Sequence, residues 1–284
     1  ADDDLIDGTI TSTITVSVND GSSDNNFDGV SDQTVSVATT DDDAAGFTVA
    51  ETGDSTSVAE SGSTDTFTIV LDKGPLTDVV FTITSADTGE ANVTSTLTFT
   101  SANWDTAQTV TVTGVDDDII DGTESTEISI TIDDANSNDS FDSLANQSVS
   151  VTTTDDDVAG FTVAETNGGT SVAESGNTDT FTVALNAQPD SDVVFSISSG
   201  DTGEATVTST LTFTSANWDT AQTVTVTGVD DDIIDGTQAS STTISIIDAI
   251  SDNNFDGVSD QTVSVTTTDD DVAGFTVAET NGGT

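Results

Sequence analysis

The chain repeats itself every 114 residues without an insertion or a deletion, and this register constrains its fold more than any other property. The phrase Gly-Phe-Thr-Val-Ala-Glu-Thr begins at Gly46, Gly160 and Gly274. Between residues 84–123 and 198–237, 37 of 40 positions are identical. A unit of this length matches one ordinary domain and exceeds the short periods of solenoids. The chain therefore reads as an array of domains that fold separately and stack. The frame divides it into residues 1–43 (the C-terminal part of a repeat), 44–157 and 158–271 (two complete repeats), and 272–284 (the start of another). Both ends cut a repeat, so the expectation is a window from a longer array.

Within one repeat, runs such as Thr66-Phe67-Thr68-Ile69-Val70-Leu71 and Thr109-Val110-Thr111-Val112-Thr113 alternate polar and apolar residues. That period of two belongs to half-buried strands, and disorder would have no reason to keep it. Strands are expected near 46–50, 65–71, 78–84, 95–100, 108–115, 127–132 and 147–153, separated by Asp/Gly/Ser/Asn turns. No segment shows a capped helical period. Seven strands per repeat predict an all-β fold, a tandem array of seven-stranded antiparallel, Ig-like β-sandwiches. The expected core is Phe47, Val49, Phe67, Ile69, Val80, Ile83, Leu97, Phe99, Val110, Val112, Ile128, Ile130, Val149 and Val151, with Trp104 covering one end. Only Val158-Ala159 separates the last acidic run of one repeat from Gly160, which predicts a stiff joint.

Charge narrows the function. There are 53 acidic residues against one base, Lys73, and no Arg, His, Cys, Met or Tyr, for a formal charge of −52. Imidazole bases, thiolate nucleophiles and His/Cys zinc sites are excluded by composition. With one Lys the chain has no means of clamping phosphate, so nucleic acid and anionic membrane are not expected partners. No apolar run is long enough to span a bilayer, and no disulfide can form. No aromatic-rich cleft accompanies the carboxylates, so no enzyme is expected.

The acid is concentrated. Asp116-Asp117-Asp118-Ile119-Ile120-Asp121-Gly122-Thr123-Glu124 follows one strand, and Asp155-Asp156-Asp157 ends another. Unit charges 4 Å apart repel by about 4 kcal/mol at an effective dielectric of 20. Two such clusters at one end of a sandwich call for a hard divalent cation, and calcium takes roughly six to eight oxygens. The plainer alternative is a solvated acidic surface that keeps the protein soluble or salt-adapted.

These residues carry a family resemblance. Glu60-Ser61-Gly62, Leu97-Thr98-Phe99, the strand ending in Val115-Asp116-Asp117-Asp118-Ile119-Ile120-Asp121, and the terminal triplet before Ala-Gly-Phe-Thr-Val resemble the Calx-β domain. The family's Asp-Tyr pair after the third strand is absent. The resemblance implies seven-stranded sandwiches that bind several Ca2+ ions at one end, near the junction with the next domain. It places ligands at Glu60, Asp87, Asp117, Asp121, Glu124, Asp155, Asp156 and Asp157, and in the next copy at Glu174, Asp201, Asp231, Asp235, Asp269, Asp270 and Asp271. The incomplete first copy keeps Asp3, Asp7, Asp41, Asp42 and Asp43. Glu124 is replaced by Gln238 and Ile10 in the other copies, so at least one ion is expected to bind more weakly there. Glu165 is expected to add an oxygen near the joint.

The reading is an extracellular, calcium-rigidified repeat array, a rod or filament of a microbial cell surface. Its partners are other copies of the same repeat, head-to-tail and laterally. The alternatives are an adhesin-like module binding a glycan or protein, and a calcium-sensing or buffering domain. Near-identity of the copies favours the rod, since a binding site need occur only once. Asp24-Asn25-Asn26-Phe27-Asp28-Gly29 opens like an EF-hand loop but has Val35 at its twelfth position and reads instead as a polar hairpin tip. The Thr-x-Thr ladders suit strands, and Asn92, Asn138 and Asn146 open glycosylation sequons.

Overall fold

The computed structural model describes residues 3–278; residues 1–2 and 279–284, parts of the incomplete repeats, lie outside the described residues. Two compact units divide the chain. The first runs to Asp117 and takes in Gly122–Asp155; the second takes in Asp118–Asp121 and continues from Asp156.

In the first unit a hairpin of β1 (Ile10–Val16) and β2 (Gln33–Thr39) precedes nine strand segments. These are β3 (Phe47–Glu51), β4 (Thr56–Ala59), β5 (Thr64–Leu71), β6 (Val79–Ser85), β7 (Ala91–Val93), β8 (Thr96–Phe99), β9 (Gln108–Gly114), β10 (Thr123–Ile132) and β11 (Gln147–Thr154). They form a four-stranded sheet in the order β3-β5-β9-β7 and a five-stranded sheet in the order β4-β11-β10-β6-β8.

The second unit repeats this plan. Its segments are β12 (Phe161–Glu165), β13 (Thr170–Ala173), β14 (Thr178–Leu185), β15 (Val193–Ser199), β16 (Ala205–Val207), β17 (Thr210–Phe213), β18 (Gln222–Gly228), β19 (Gln238–Ile246) and β20 (Gln261–Thr268). The sheets run β12-β14-β18-β16 and β13-β20-β19-β15-β17. Helical structure among the described residues is limited to seven single 3-10 turns, and no helix is long and apolar enough to cross a membrane.

Nine segments form where seven strands were expected, because β4 and β7, outside the expected ranges, each join the sheet opposite to that of the neighbouring β3 and β8. β3 pairs antiparallel with β5, whereas β4, just beyond a turn at Gly53 (φ +74°), pairs parallel with β11. β7 pairs with β9 and β8 with β6; between them the Thr94 amide donates to Thr111 in one sheet while Ser95 accepts from Ile83 in the other. At each side of the sandwich one continuous chain therefore supplies both edge strands. The edges stay short, which blunts unwanted pairing.

Each unit has its own core. Phe47 meets Phe81 edge-to-face at 5.0 Å and Phe81 meets Phe99 at 5.7 Å; Phe161, Phe195 and Phe213 repeat the chain at 4.9 and 5.7 Å. Such pairs add about 0.5–1.5 kcal/mol beyond burial. The expected core needs one correction. Val79, Phe81 and Ile83 point inward while Val80 sits half-buried on the other face. Residues 80 and 83 differ by an odd number, so one strand cannot bury both on one side. The loop expected as a polar hairpin tip is exposed at Asp24–Gly29, Phe27 included, but its counterparts turn a ring inward: Phe141 and Phe255 are fully buried plugs beneath them. Asp252 holds that turn by accepting from the Asn254 and Ser191 amides at 2.9 and 2.8 Å. Trp104 is half-buried against the first core, as expected.

Candidate metal centre

Pairing register brings carboxylates to one end of the second sandwich. β13 runs parallel to β20 with Ala173 opposite Thr268. The next amide, that of Glu174, donates to the Thr268 carbonyl at 3.1 Å, so Glu174 sits beside the start of the Asp269 triplet. On the other sheet Val229 donates to the Glu204 carbonyl at 2.8 Å, which sets Glu204 beside the loop that carries Asp231 and Asp235. Gly228 makes the approach possible. A Cβ there would run into the Ala173 carbonyl, one residue before Glu174.

The resulting cluster is buried. Glu174 is 1% exposed and Glu204 8%. Oxygens of Glu174, Asp231 and Asp271 all lie within 4.8 Å of one another. Both carboxylate oxygens of Glu174, one of Glu204 and Oδ2 of Asp271 have no hydrogen-bond partner among the described residues. A buried, unsatisfied carboxylate is costly. Burial first, and then the charges of Asp269, Asp231, Asp235 and Glu204, push the Glu174 carboxyl from its ordinary 4.5 up to about 7. Glu204 and Asp271 are raised too, in both cases chiefly by desolvation.

Asp269 has a different role. Its Oδ2 accepts from the Gly236 amide at 2.8 Å and its Oδ1 from the Asp271 amide at 2.7 Å. These bonds, with Gly236 foremost, hold its carboxyl below the ordinary 3.8. Asp269 ties the acidic loop to the end of β20 and so shapes the cluster. The arrangement recurs: Asp155 accepts from Gly122 at 2.9 Å, and Asp41 from Gly8 at 2.7 Å and Asp43 at 2.9 Å.

The residues expected from the sequence sort as follows. Glu174, Asp231 and Asp271 converge, with Asp235 and Asp269 close enough to act on Glu174 and Asp201 on Glu204. Asp270 and its counterparts Asp156 and Asp42, the middle residues of the triplets, are exposed. In the first unit Glu60 is 1% exposed beside the end of β11, Asp117 is half-buried, and Asp87 accepts from the Gly89 amide at 2.9 Å. Asp157, counted with the second unit, is also half-buried. Asp121 and Glu124 are exposed, and Gln238, at the Glu124 position, instead donates to the Asp235 carbonyl at 3.2 Å. In the incomplete copy Asp3, Asp7, Asp41, Asp42 and Asp43 line one cleft. The Glu165 carboxylate is engaged by the Thr170 hydroxyl at 3.2 Å.

Sequence reasoning missed Glu204 and its counterpart Glu90, 9% exposed. The available signal was an identical Asp-Thr-Gly-Glu-Ala in both repeats. The donor set is entirely oxygen, which suits a hard cation such as calcium and not a thiophilic metal.

No known sequence family and no curated protein matches the chain. Solved structures with a distant likeness include domains 4 and 5 of the S-layer protein SbsC: 18% identity over 78% of this chain and 98% of that one, TM-score 0.33. CBD12 from CALX1.2 aligns at 12% identity over 77% and 99%, TM-score 0.31. The apo form of the Calx CBD1 domain aligns at 14% over 39% and 98%, TM-score 0.29. At such identities and scores, the chemistry of this chain rests on its own residues.

Proposed function

We propose that each complete repeat is a calcium-binding β-sandwich, and that a tandem array of them forms a structural rod or filament on the outside of a microbial cell. The array acts through shape and stiffness, without catalysis. The observation that carries this reading is Glu174, whose two buried oxygens lack partners while facing Asp231 and Asp271. A divalent cation supplies what that site lacks, a positive charge and a coordination partner for each oxygen. Glu174, Asp231 and Asp271 would hold it, with Glu204, Asp235 and Asp201 nearby, and Asp269 would keep the loop in shape. Near-identity of the repeats fits a spacer, in which every unit does the same work.

Thermal melting of the full chain tests this. A ligand at 100 times its Kd adds about 2.7 kcal/mol per site, so calcium is expected to raise the midpoint clearly above that in EDTA. Magnesium, which demands tight octahedral geometry, is expected to rescue poorly. Identical melting curves in calcium and EDTA at moderate salt would leave the acidic end a solvated surface and sink the proposal.

A further inference from the structure

The acidic loop carries an apolar pair that cation binding leaves unused: Leu5-Ile6, Ile119-Ile120 and Ile233-Ile234, each set between aspartates. Two adjacent large aliphatic side chains at the tip of a charged loop gain stability when covered. In the first unit they have it. The Gly74 amide donates to the Asp4 carbonyl at 2.7 Å and the Ile6 amide to the Gly74 carbonyl at 3.0 Å. Leu5 thus forms a parallel bridge with Gly74, and Ile6 packs against the core of the following repeat. The chain's sole base closes the contact, with Lys73 pairing to Asp4 at 2.7 Å and Asp43 at 2.6 Å. Trp104 caps it: a Cβ on Gly74 would lie 3.1 Å from Nε1 of that ring.

The second unit repeats this contact in the same register. Asp118–Asp121 is counted with that unit. There Ile119 bridges Gln188, the position equivalent to Gly74, and the Gln188 amide donates to the Asp118 carbonyl at 2.6 Å. Asn254 Nδ2 donates to the Ile120 carbonyl at 2.9 Å, and Ile120 packs against the second core. In the third loop, with no such partner among the described residues, Ile233 is 60% and Ile234 56% exposed.

We propose that the apolar pair at the tip of each acidic loop is a docking plug for the repeat that follows it. The exposed Ile233-Ile234 is the same surface, fitted to the tryptophan-covered end of another copy of this repeat. The partner is identified by the two seated examples: a strand-like backbone at the turn after β5 or β14, with an apolar seat beneath. In the second unit the seat follows β14 and the Ile233-Ile234 loop follows the antiparallel β18, so plug and seat lie at opposite ends of one sandwich and the contact can recur from copy to copy. It uses backbone bonds and apolar burial, joined by the Lys73 ion pairs in the first unit and the Asn254 side-chain bond in the second, and none of these needs a cation, so it stands independently of the calcium reading.

The test uses the full chain with Ile119→Ser and Ile120→Ser together, against Ile119→Val and Ile120→Val, followed by amide hydrogen exchange. The Ser variant is expected to lose protection at Gln188 by about tenfold or more, while amides within β14 and β18 keep theirs. The Val variant is expected to retain protection. Equal loss in both variants, or none in either, overturns the proposal. The same Ser–Val difference is expected in EDTA; a difference present only with calcium would overturn the claim that the apolar pair docks by itself. Calorimetric titration showing no calcium binding would remove the preceding proposal and leave this one standing.

Discussion

Replacing Glu174 by Gln, with Glu60 changed likewise one repeat earlier, would separate proton release from calcium binding. Without metal, the folded chain holds the Glu174 proton up to about pH 7, whereas an ordinary glutamate loses it near 4.5. Between those values the folded state binds more protons than the unfolded one. Stability of the metal-free protein therefore falls as pH rises through that window, opposite to ordinary acid denaturation. Asp269 contributes in the other sense, but only as pH falls below its ordinary 3.8. Calcium must displace the Glu174 proton, so affinity should rise by up to about tenfold per pH unit below 7 and level off above. For that one group the change from about pH 5.5 to about pH 7.5 amounts to about 25-fold. Gln has no proton to release and no charge to desolvate. The variant is expected to melt higher than wild type in EDTA at about pH 8, to bind calcium more weakly, and to show flattened pH slopes in both properties. Differential scanning calorimetry in EDTA and isothermal titration with calcium measure the two slopes. A Gln variant that kept wild-type slopes would refute the assignment of the titration to Glu174.

Two further outcomes follow from packing. Phe255→Ala is expected to cost about 3–5 kcal/mol by opening a cavity under the β19–β20 loop, whereas Phe27→Ala, at a side chain 58% exposed, should leave the melting curve unchanged. Gly228→Ala should push β13 away through the Ala173 carbonyl and displace Glu174; titration should then show calcium affinity reduced about tenfold or more, while Asp260→Asn, at the far end of β20, leaves it intact.

Much of the strand framework could be read along the chain because alternation is local: Thr66 to Leu71 shows its two faces without reference to any neighbour. The same locality explains the failures. In Val79-Val80-Phe81 all three residues are apolar, so only the pairing of β6 with β10 and β8 decides which face is inside. The β3–β4 and β7–β8 breaks depend on which sheet each half finds, and three-residue strands carry too little pattern to announce themselves.

The candidate site divides along the same line. Acidic triplets, the near-absence of bases and the 114-residue register are properties of composition and order, and by themselves they point to an oxygen-ligand cation site repeated along an array. Which carboxylates face inward could not be read there. Glu204 is one acid in a turn until β16 pairs with β18, and Asp270 looks like its neighbours until the chain leaves β20 with its middle residue outward. The Ile119-Ile120 pair likewise looks like two misplaced apolar residues until Gln188 and Asn254 come up against it. Sequence periodicity reports what a residue does to its own strand. Burial of a charge, or seating of an isoleucine, depends on which distant backbone arrives beside it, and tertiary structure alone determines that.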